Sequence, residues 1–220
     1  MTHLGFFVVV EGPEAAGKST LARALVARMR TAGVDPLLVH EPGGTPVAEA
    51  LRQELLNASR EFTPAMELLY MVTARADLVS RVIRPALAAG RTVISDRYDL
   101  STAAYQGAGR GVPMEQLRWV NAAATSGLVP DLTLVLDLDP VQARARQSLA
   151  GKGLDRIERE SDDFHARVAA AYRAASGPGI HHIAADGTSA DVLASAWRAI
   201  VAARPAQFTS PADLQGGKTG

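Results

Sequence analysis

The run Gly12-Pro13-Glu14-Ala15-Ala16-Gly17-Lys18-Ser19-Thr20 sets two glycines, a lysine and a hydroxyl at G-x-x-x-x-G-K-[ST] spacing, and the chemistry of that spacing is the cradling of phosphate groups. Gly12 and Gly17 permit a tight loop whose backbone N–H groups converge on phosphate oxygens, and the helix expected after it turns the positive end of its dipole to the same anion. Lys18 is expected at the β- and γ-phosphates of a nucleoside triphosphate. Ser19 offers a hydroxyl ligand to Mg²⁺, an ion that keeps several waters and bridges phosphates. Glu14 is out of character in such a loop: its carboxylate would repel a triphosphate, so its side chain is expected to turn toward a hydroxyl or ordered water of a second substrate. The loop by itself serves kinases, GTPases, ATPases and switches alike. The guanine-reading N-K-x-D does not occur in the sequence, which argues against a GTPase of the familiar kind.

Such a loop works only between a strand and a helix, and the rest of the chain supplies the elements. Short β-branched, nearly all-apolar runs at residues 6–10, 37–40, 92–95, 132–137 and 180–184 alternate with longer amphipathic stretches, the pattern of βαβ units and a parallel sheet covered on both faces. Helices are expected over 18–31, 46–57, 64–89, 113–126, 140–149, 156–175 and 189–203, with Gly33, Gly90 and Gly127 as stops. The fold class is α/β with five parallel strands flanked by helices. In open sheets of this kind the carboxyl ends of the strands line one crevice, the usual ligand site.

Length and composition bound what that site can serve. The 220 residues fit one domain, assigned to 1–204. Residues 205–220 mix Pro, Ser, Gly, Gln and Thr with few apolar side chains and read as a flexible tail. The 23 basic residues balance the 23 acidic ones, so no chain-wide field exists to hold nucleic acid or an anionic membrane. The chain has no cysteine, which excludes disulfides, thiolate nucleophiles and Cys-ligated metals and reads as cytoplasmic. Neither a membrane span nor a secretory leader is expected.

Three spaced segments carry a family likeness. They are residues 11–20, then Glu41-Pro42-Gly43-Gly44-Thr45, then Asp96-Arg97-Tyr98 with Ser101-Thr102-Ala103-Ala104-Tyr105-Gln106-Gly107, followed by Leu154-Asp155-Arg156-Ile157-Glu158. In this order they strongly resemble thymidylate kinase, over nearly the whole chain to about Arg204. The resemblance implies the fold of P-loop nucleoside monophosphate kinases with a short lid at about 143–158, a homodimer, and Mg²⁺-dependent transfer of the ATP γ-phosphoryl group to dTMP in dTTP biosynthesis. It implies that residues 12–20 hold ATP, that Arg97 orients the acceptor phosphate, that Glu41 and Arg52 lie at the acceptor's phosphate end, and that Met71, Arg75, Thr102 and Gln106 meet the base, Arg75 donating to thymine O4. Tyr105 would crowd a ribose 2′-hydroxyl, and Glu14 would face the acceptor.

The residues have readings of their own beside that likeness. Asp96 can hold Mg²⁺ through water and the Arg97 guanidinium can fork onto a phosphate; a local Asp/Arg pair at a strand end is the plainer reading. Met71 and Arg75 share a helix face, but taken alone they read as core and as a solvated charge. Arg52 and Arg97 favour a phosphorylated acceptor over a free nucleoside, and a P-loop switch without turnover would need neither. The lid gathers Arg144, Arg146, Lys152 and Arg156 around Gly151 and Gly153; either it is a solvated basic face, or Lys152 and Arg156 reach the transferring phosphoryl while Arg144 and Arg146 hold ATP. Two positions depart from the family: Met71 stands where phenylalanine is usual and His40 where arginine is. His40, His181 and His182 receive no role. The dimer is expected to bury Leu55, Leu68 and Val72.

Overall fold

Six consecutive buried residues form β1 (Phe6–Glu11), a run apolar on both faces that must lie at the centre of a sheet with helices above and below. The chain is described from a computed structural model, over residues 4–149 and 155–208. Around β1 stand β2 (Leu37–His40), β3 (Thr92–Asp96), β4 (Leu132–Asp137) and β5 (Ile180–Ala184), all parallel, in the order β2-β3-β1-β4-β5. Register aligns Val10 with Asp96 and Asp96 with His40. The strands therefore end together, and the residues that follow them share one rim.

The alternate side chains of β1 feed two cores. Phe6, Val8 and Val10 pack with Leu25 and Met29 of α1 (Lys18–Thr31) and with Ala196 and Ile200 of α9 (Ser189–Ala203). Phe7 and Val9 pack on the other face with Leu78, Ile83 and Leu87. Those three residues belong to one continuous helical rod made of α3 (Pro64–Leu78), a π-helical turn at Val79–Ile83, and α4 (Arg84–Ala88). The sequence predicts one uninterrupted helix there. The break has a cause in Pro85, which lacks an N–H and whose ring would press on the carbonyl four residues back; a wider turn relieves both.

α2 (Pro46–Leu56) begins on Thr45, whose side chain accepts from Ala48 N–H. The remaining helices are α5 (Asp99–Thr102) running into a second π-helical stretch (Ala103–Gly109), α6 (Met114–Thr125), α7 (Pro140–Leu149), α8 (Asp162–Ala174) and α10 (Pro205–Phe208). The helical segment 99–109 was not expected from sequence, since Gly107 and Gly109 mask its periodicity. The last long helix before β5 starts at Asp162 and not at 156, because Ser161 caps it by accepting from Phe164 N–H.

The expected tail boundary is corrected. Pro205–Phe208 is helical, and Phe208 lies buried in the first core with ring centroids 6.0 Å from Phe6 and 5.5 Å from Trp197. One aromatic ring docks a segment whose average composition is polar. The remainder of that segment, and Lys152 with its flanking glycines, lie outside the described residues. Among the described residues no helix is long and apolar enough to cross a membrane.

Candidate active site

The rim opens into a cavity of about 580 Å³ whose wall includes Glu14, Lys18, Ser19, Glu41, Arg52, Met71, Asp96, Arg97, Tyr105 and Gln106, a size suited to small ligands. At one part of the wall the chain leaves β1, turns at Gly12 with φ +138°, passes Ala15 at φ 55° and reaches Gly17 at φ 94°. A Cβ on Gly12 would stand 2.7 Å from the Leu136 carbonyl oxygen, so only glycine lets the loop lie against β4. α1 then begins on Gly17 with no side-chain cap, leaving the N–H groups of its first turn to an anion. Lys18 donates to the Pro13 carbonyl at 2.5 Å. Its burial, and next the nearby Arg97, push its pKa down to about 7 against the pull of Asp96 and Glu14. Ser19 donates a short hydrogen bond to Asp96. A hydroxyl and a carboxylate side by side beneath a phosphate loop are hard-oxygen donors of the kind that suit Mg²⁺.

Arg97 is fixed by unusual means. It adopts φ 76° at the end of β3, a conformation that costs a non-glycine residue about 1 to 3 kcal/mol, and its backbone N–H donates to Val10 at 3.0 Å. Glu11 over-determines this corner. Fully buried, it accepts from Tyr98 N–H at 2.8 Å, Ser101 N–H at 3.1 Å, Ser101 Oγ at 2.7 Å and Tyr172 Oη at 3.1 Å. The Arg97 guanidinium spreads over Ser101, Tyr172 and Tyr105 hydroxyls, each at 3.2 Å, and lies over the Tyr105 ring at 5.1 Å. It stays charged, its pKa raised although burial opposes this, through Tyr105, Tyr172, Glu14 and Glu11. Tyr105 in turn donates to Glu14 at 3.2 Å. The second Glu14 oxygen is buried without a hydrogen-bond partner, with His165 Nδ1 3.8 Å away. Glu14 thus turns from the phosphate loop toward the centre of the cavity.

At another part of the wall Met71 and Gln106 face inward, and the Gln106 carbonyl oxygen is buried without a partner. Glu41 Oε1 is in the same state, and burial pushes the Glu41 carboxyl up to about 7 despite Arg75. Arg75 and Thr102, expected at the base, do not line the cavity. The Arg75 guanidinium is fully buried one layer behind it. There it donates to Glu41 at 2.7 Å, Thr102 at 2.8 Å, Asn121 at 2.5 Å and the Tyr98 carbonyl at 2.8 Å. Its demand for buried acceptors explains the placement: a fork with five N–H groups settles where four acceptors converge. Arg52 lines the cavity and donates to the Pro42 carbonyl at 2.8 Å. His40 also lines the cavity and pairs with Glu49 at 2.9 Å.

Three of the lid's basic residues, Arg144, Arg146 and Arg156, are among the described residues. Arg144 pairs with Asp162, and Arg146 donates to the Ala185 carbonyl at 2.9 Å, beyond β5. Neither lines the cavity. Arg156 donates to the Leu55 carbonyl at 2.9 Å and to Glu67 at 2.7 Å, and lies over the Phe62 ring at 4.8 Å. The same Glu67 accepts from Gln106 and Arg110. Sequence reasoning missed Glu11, Tyr172 and His165 as site residues, and Glu67 with Arg110. For Glu67 a signal existed: positions 67, 71 and 75 lie four apart on one helical stripe.

A phosphate loop with a hydrogen-bonded Ser19/Asp96 pair, and two arginines lining one cavity with Gln106, on a sheet of order 2-3-1-4-5, define a nucleoside monophosphate kinase. The family model described as thymidylate kinase matches residues 10–195. A thymidylate kinase of Cereibacter sphaeroides is 48% identical over 204 residues, 89% of this chain and 94% of its own. One from Pseudomonas entomophila is 44% identical over 91% of this chain and 95% of its own. One from Deinococcus radiodurans is 46% identical over 74% and 79%. The chain belongs to the thymidylate kinase family, whose reaction is the ATP-dependent phosphorylation of dTMP to dTDP.

Proposed function

We propose that the γ-phosphoryl group of ATP passes directly to the 5′-phosphate of dTMP within this one cavity, with Mg²⁺ as cofactor. The observation that supports the reading is that the phosphate loop, Arg52, Arg97 and Gln106, whose side-chain oxygen is buried without a partner, line the same space. Residues 12–20 bind the ATP phosphates. Ser19, and Asp96 through water, would hold Mg²⁺, which supplies charge neutralisation between the phosphates when bound. A 5′-phosphate oxygen of dTMP attacks the γ-phosphorus, the bond to the ADP oxygen breaks, and no covalent enzyme intermediate forms. Arg97 and Arg52 orient the acceptor phosphate, and Lys18 neutralises charge on the transferring group.

Base choice falls to Gln106. Its Oε1 accepts the N3–H of thymine, where cytosine presents a lone pair, and Met71 covers the ring as an apolar wall. Arg75 and Thr102 serve from behind, holding Glu41 and the start of the 99–109 segment. Tyr105 and Glu14 close the sugar side. For the lid we propose that Arg144 and Arg146 bound the ATP side, with Lys152 as a further cation and Arg156 as a strut.

The enzyme acts in the cytoplasm and as a homodimer. Leu55, Leu68 and Val72, expected at the dimer face, are instead buried within the protomer. Exposed apolar side chains on two packed helices, Met66 and Leu69 of α3 with Trp119 of α6, replace them as the proposed contact. The test of function is a panel of acceptors. ADP release is expected to be fast with dTMP, slower with dCMP, and near the ATP-only background with thymidine. Equal rates for every acceptor, or release independent of any acceptor, would reject the reading.

A further inference from the structure

The amide of Gln106 can face the cavity with either end, and a pyrimidine is chosen or refused by which end it presents. Glutamine oxygen and nitrogen are nearly the same size, so packing cannot decide between them. The decision lies with a residue outside the cavity wall. Glu67, fully buried on α3, accepts the Gln106 Nε2–H at 2.8 Å through Oε1. Its other contacts are all donors: Arg110 Nε at 3.2 Å on Oε1, then Arg110 Nη2 at 2.9 Å and Arg156 Nη2 at 2.7 Å on Oε2. Burial works to raise the Glu67 carboxyl, yet these hydrogen bonds hold it below the ordinary range. A carboxylate has no proton to give, so only the NH₂ of Gln106 can face it.

We propose that Glu67 is a specificity-determining positioning residue: by locking the Gln106 amide with its oxygen toward the cavity, it makes the site demand a donor at pyrimidine N3. This rests on the reading that Gln106 meets N3. The identity of residue 67 then sets the preference. In Glu67→Gln the new NH₂ must take one of two places. Where Oε2 stood it would meet two arginine N–H groups; where Oε1 stood it meets one long arginine contact and Gln106. The second placement wins, and it asks Gln106 for an acceptor. The Gln106 amide turns over, and an N–H then faces the cavity, matched to the N3 lone pair of cytosine.

The experiment compares kcat/KM for dTMP and 5-methyl-dCMP, which share the methyl group. In Glu67→Gln the dTMP preference is expected to fall at least tenfold. The exchange Glu67→Gln/Gln106→Glu moves the carboxylate across the 2.8 Å contact between the two positions and presents an acceptor to the cavity again, so it should recover the dTMP preference. It also carries the test if the single variant does not fold. A folded Glu67→Gln enzyme with the wild-type ratio, or an exchanged enzyme that has lost the dTMP preference, overturns the role of Glu67. Gln106→Leu separates the two layers: a lowered ratio upholds Gln106 as the reader whatever Glu67 does, whereas an unchanged ratio removes the reader and the proposal with it.

Discussion

Lys18 carries the sharpest expectations at the scale of single residues. Lys18→Met keeps the length of the side chain and removes its charge, so kcat should fall by about a thousandfold, roughly 4 kcal/mol of barrier, with an unchanged circular dichroism spectrum. A kcat within tenfold of wild type would exclude it from the transferring phosphate. Its depressed pKa of about 7 gives a second, pH-dependent expectation. In the free enzyme the amine is partly neutral at pH 7 and mostly neutral at pH 8, while a bound triphosphate favours the ammonium. ATP binding should therefore take up a proton, and affinity should weaken as pH rises from 7 toward 9. Calorimetry in buffers of different ionisation enthalpy checks the sign, and proton release would contradict it. Residue by residue, the course of the phosphate loop and the strand-end placement of Asp96 and Arg97 were legible in the sequence because they follow from spacing along the chain. Arg75 and Arg156 were not, since where a guanidinium goes depends on acceptors that folding brings from distant segments: Glu41, Tyr98, Thr102 and Asn121 for one, Glu67 and Leu55 for the other.

At the scale of elements, the five strands stand where buried apolar runs put them, because period and β-branching are local properties. What pattern reading could not supply was the defects: the π turn ahead of Pro85, the helical stretch 99–109, and the capped start of α8 at Ser161. Arg156, ahead of α8, bonds α2 through Leu55 and α3 through Glu67. Arg156→Ala leaves a buried carboxylate short of a partner and should destabilise the protein by about 1 to 3 kcal/mol. The accompanying loss should be larger in KM for dTMP than in kcat, because the strut supports the binding wall and does not touch the transferring group. A normal melting temperature with a collapsed kcat would instead return Arg156 to the phosphoryl group.

At the scale of the molecule, Phe208 closes the first core from the far end of the described chain, against Phe6 at its beginning. Truncation after Arg204 should cost about 3 kcal/mol, the low end for removing a buried phenylalanine, and lower the melting temperature by roughly 6 to 12 °C. Truncation after Phe208 should cost much less. Equal melting temperatures for the two truncations would show that the ring contributes nothing. The dimer is tested by sedimentation at micromolar concentration: wild type should run at twice the chain mass, and Leu69→Glu or Trp119→Glu should shift it toward the monomer. A monomeric wild type ends that proposal.

The missing cap of α1 has a consequence for folding itself. Because Gly17 offers no side chain to the first-turn amides, the nucleotide phosphate must do what a serine or aspartate does elsewhere, and the ligand becomes a structural part of the helix. The amides of Lys18, Ser19 and Thr20 should therefore exchange with solvent deuterium far more slowly once ATP is bound, and the whole fold should gain stability with the logarithm of nucleotide concentration. A cell well supplied with ATP would add to this chain's stability by mass action, and a fall in ATP would withdraw that increment.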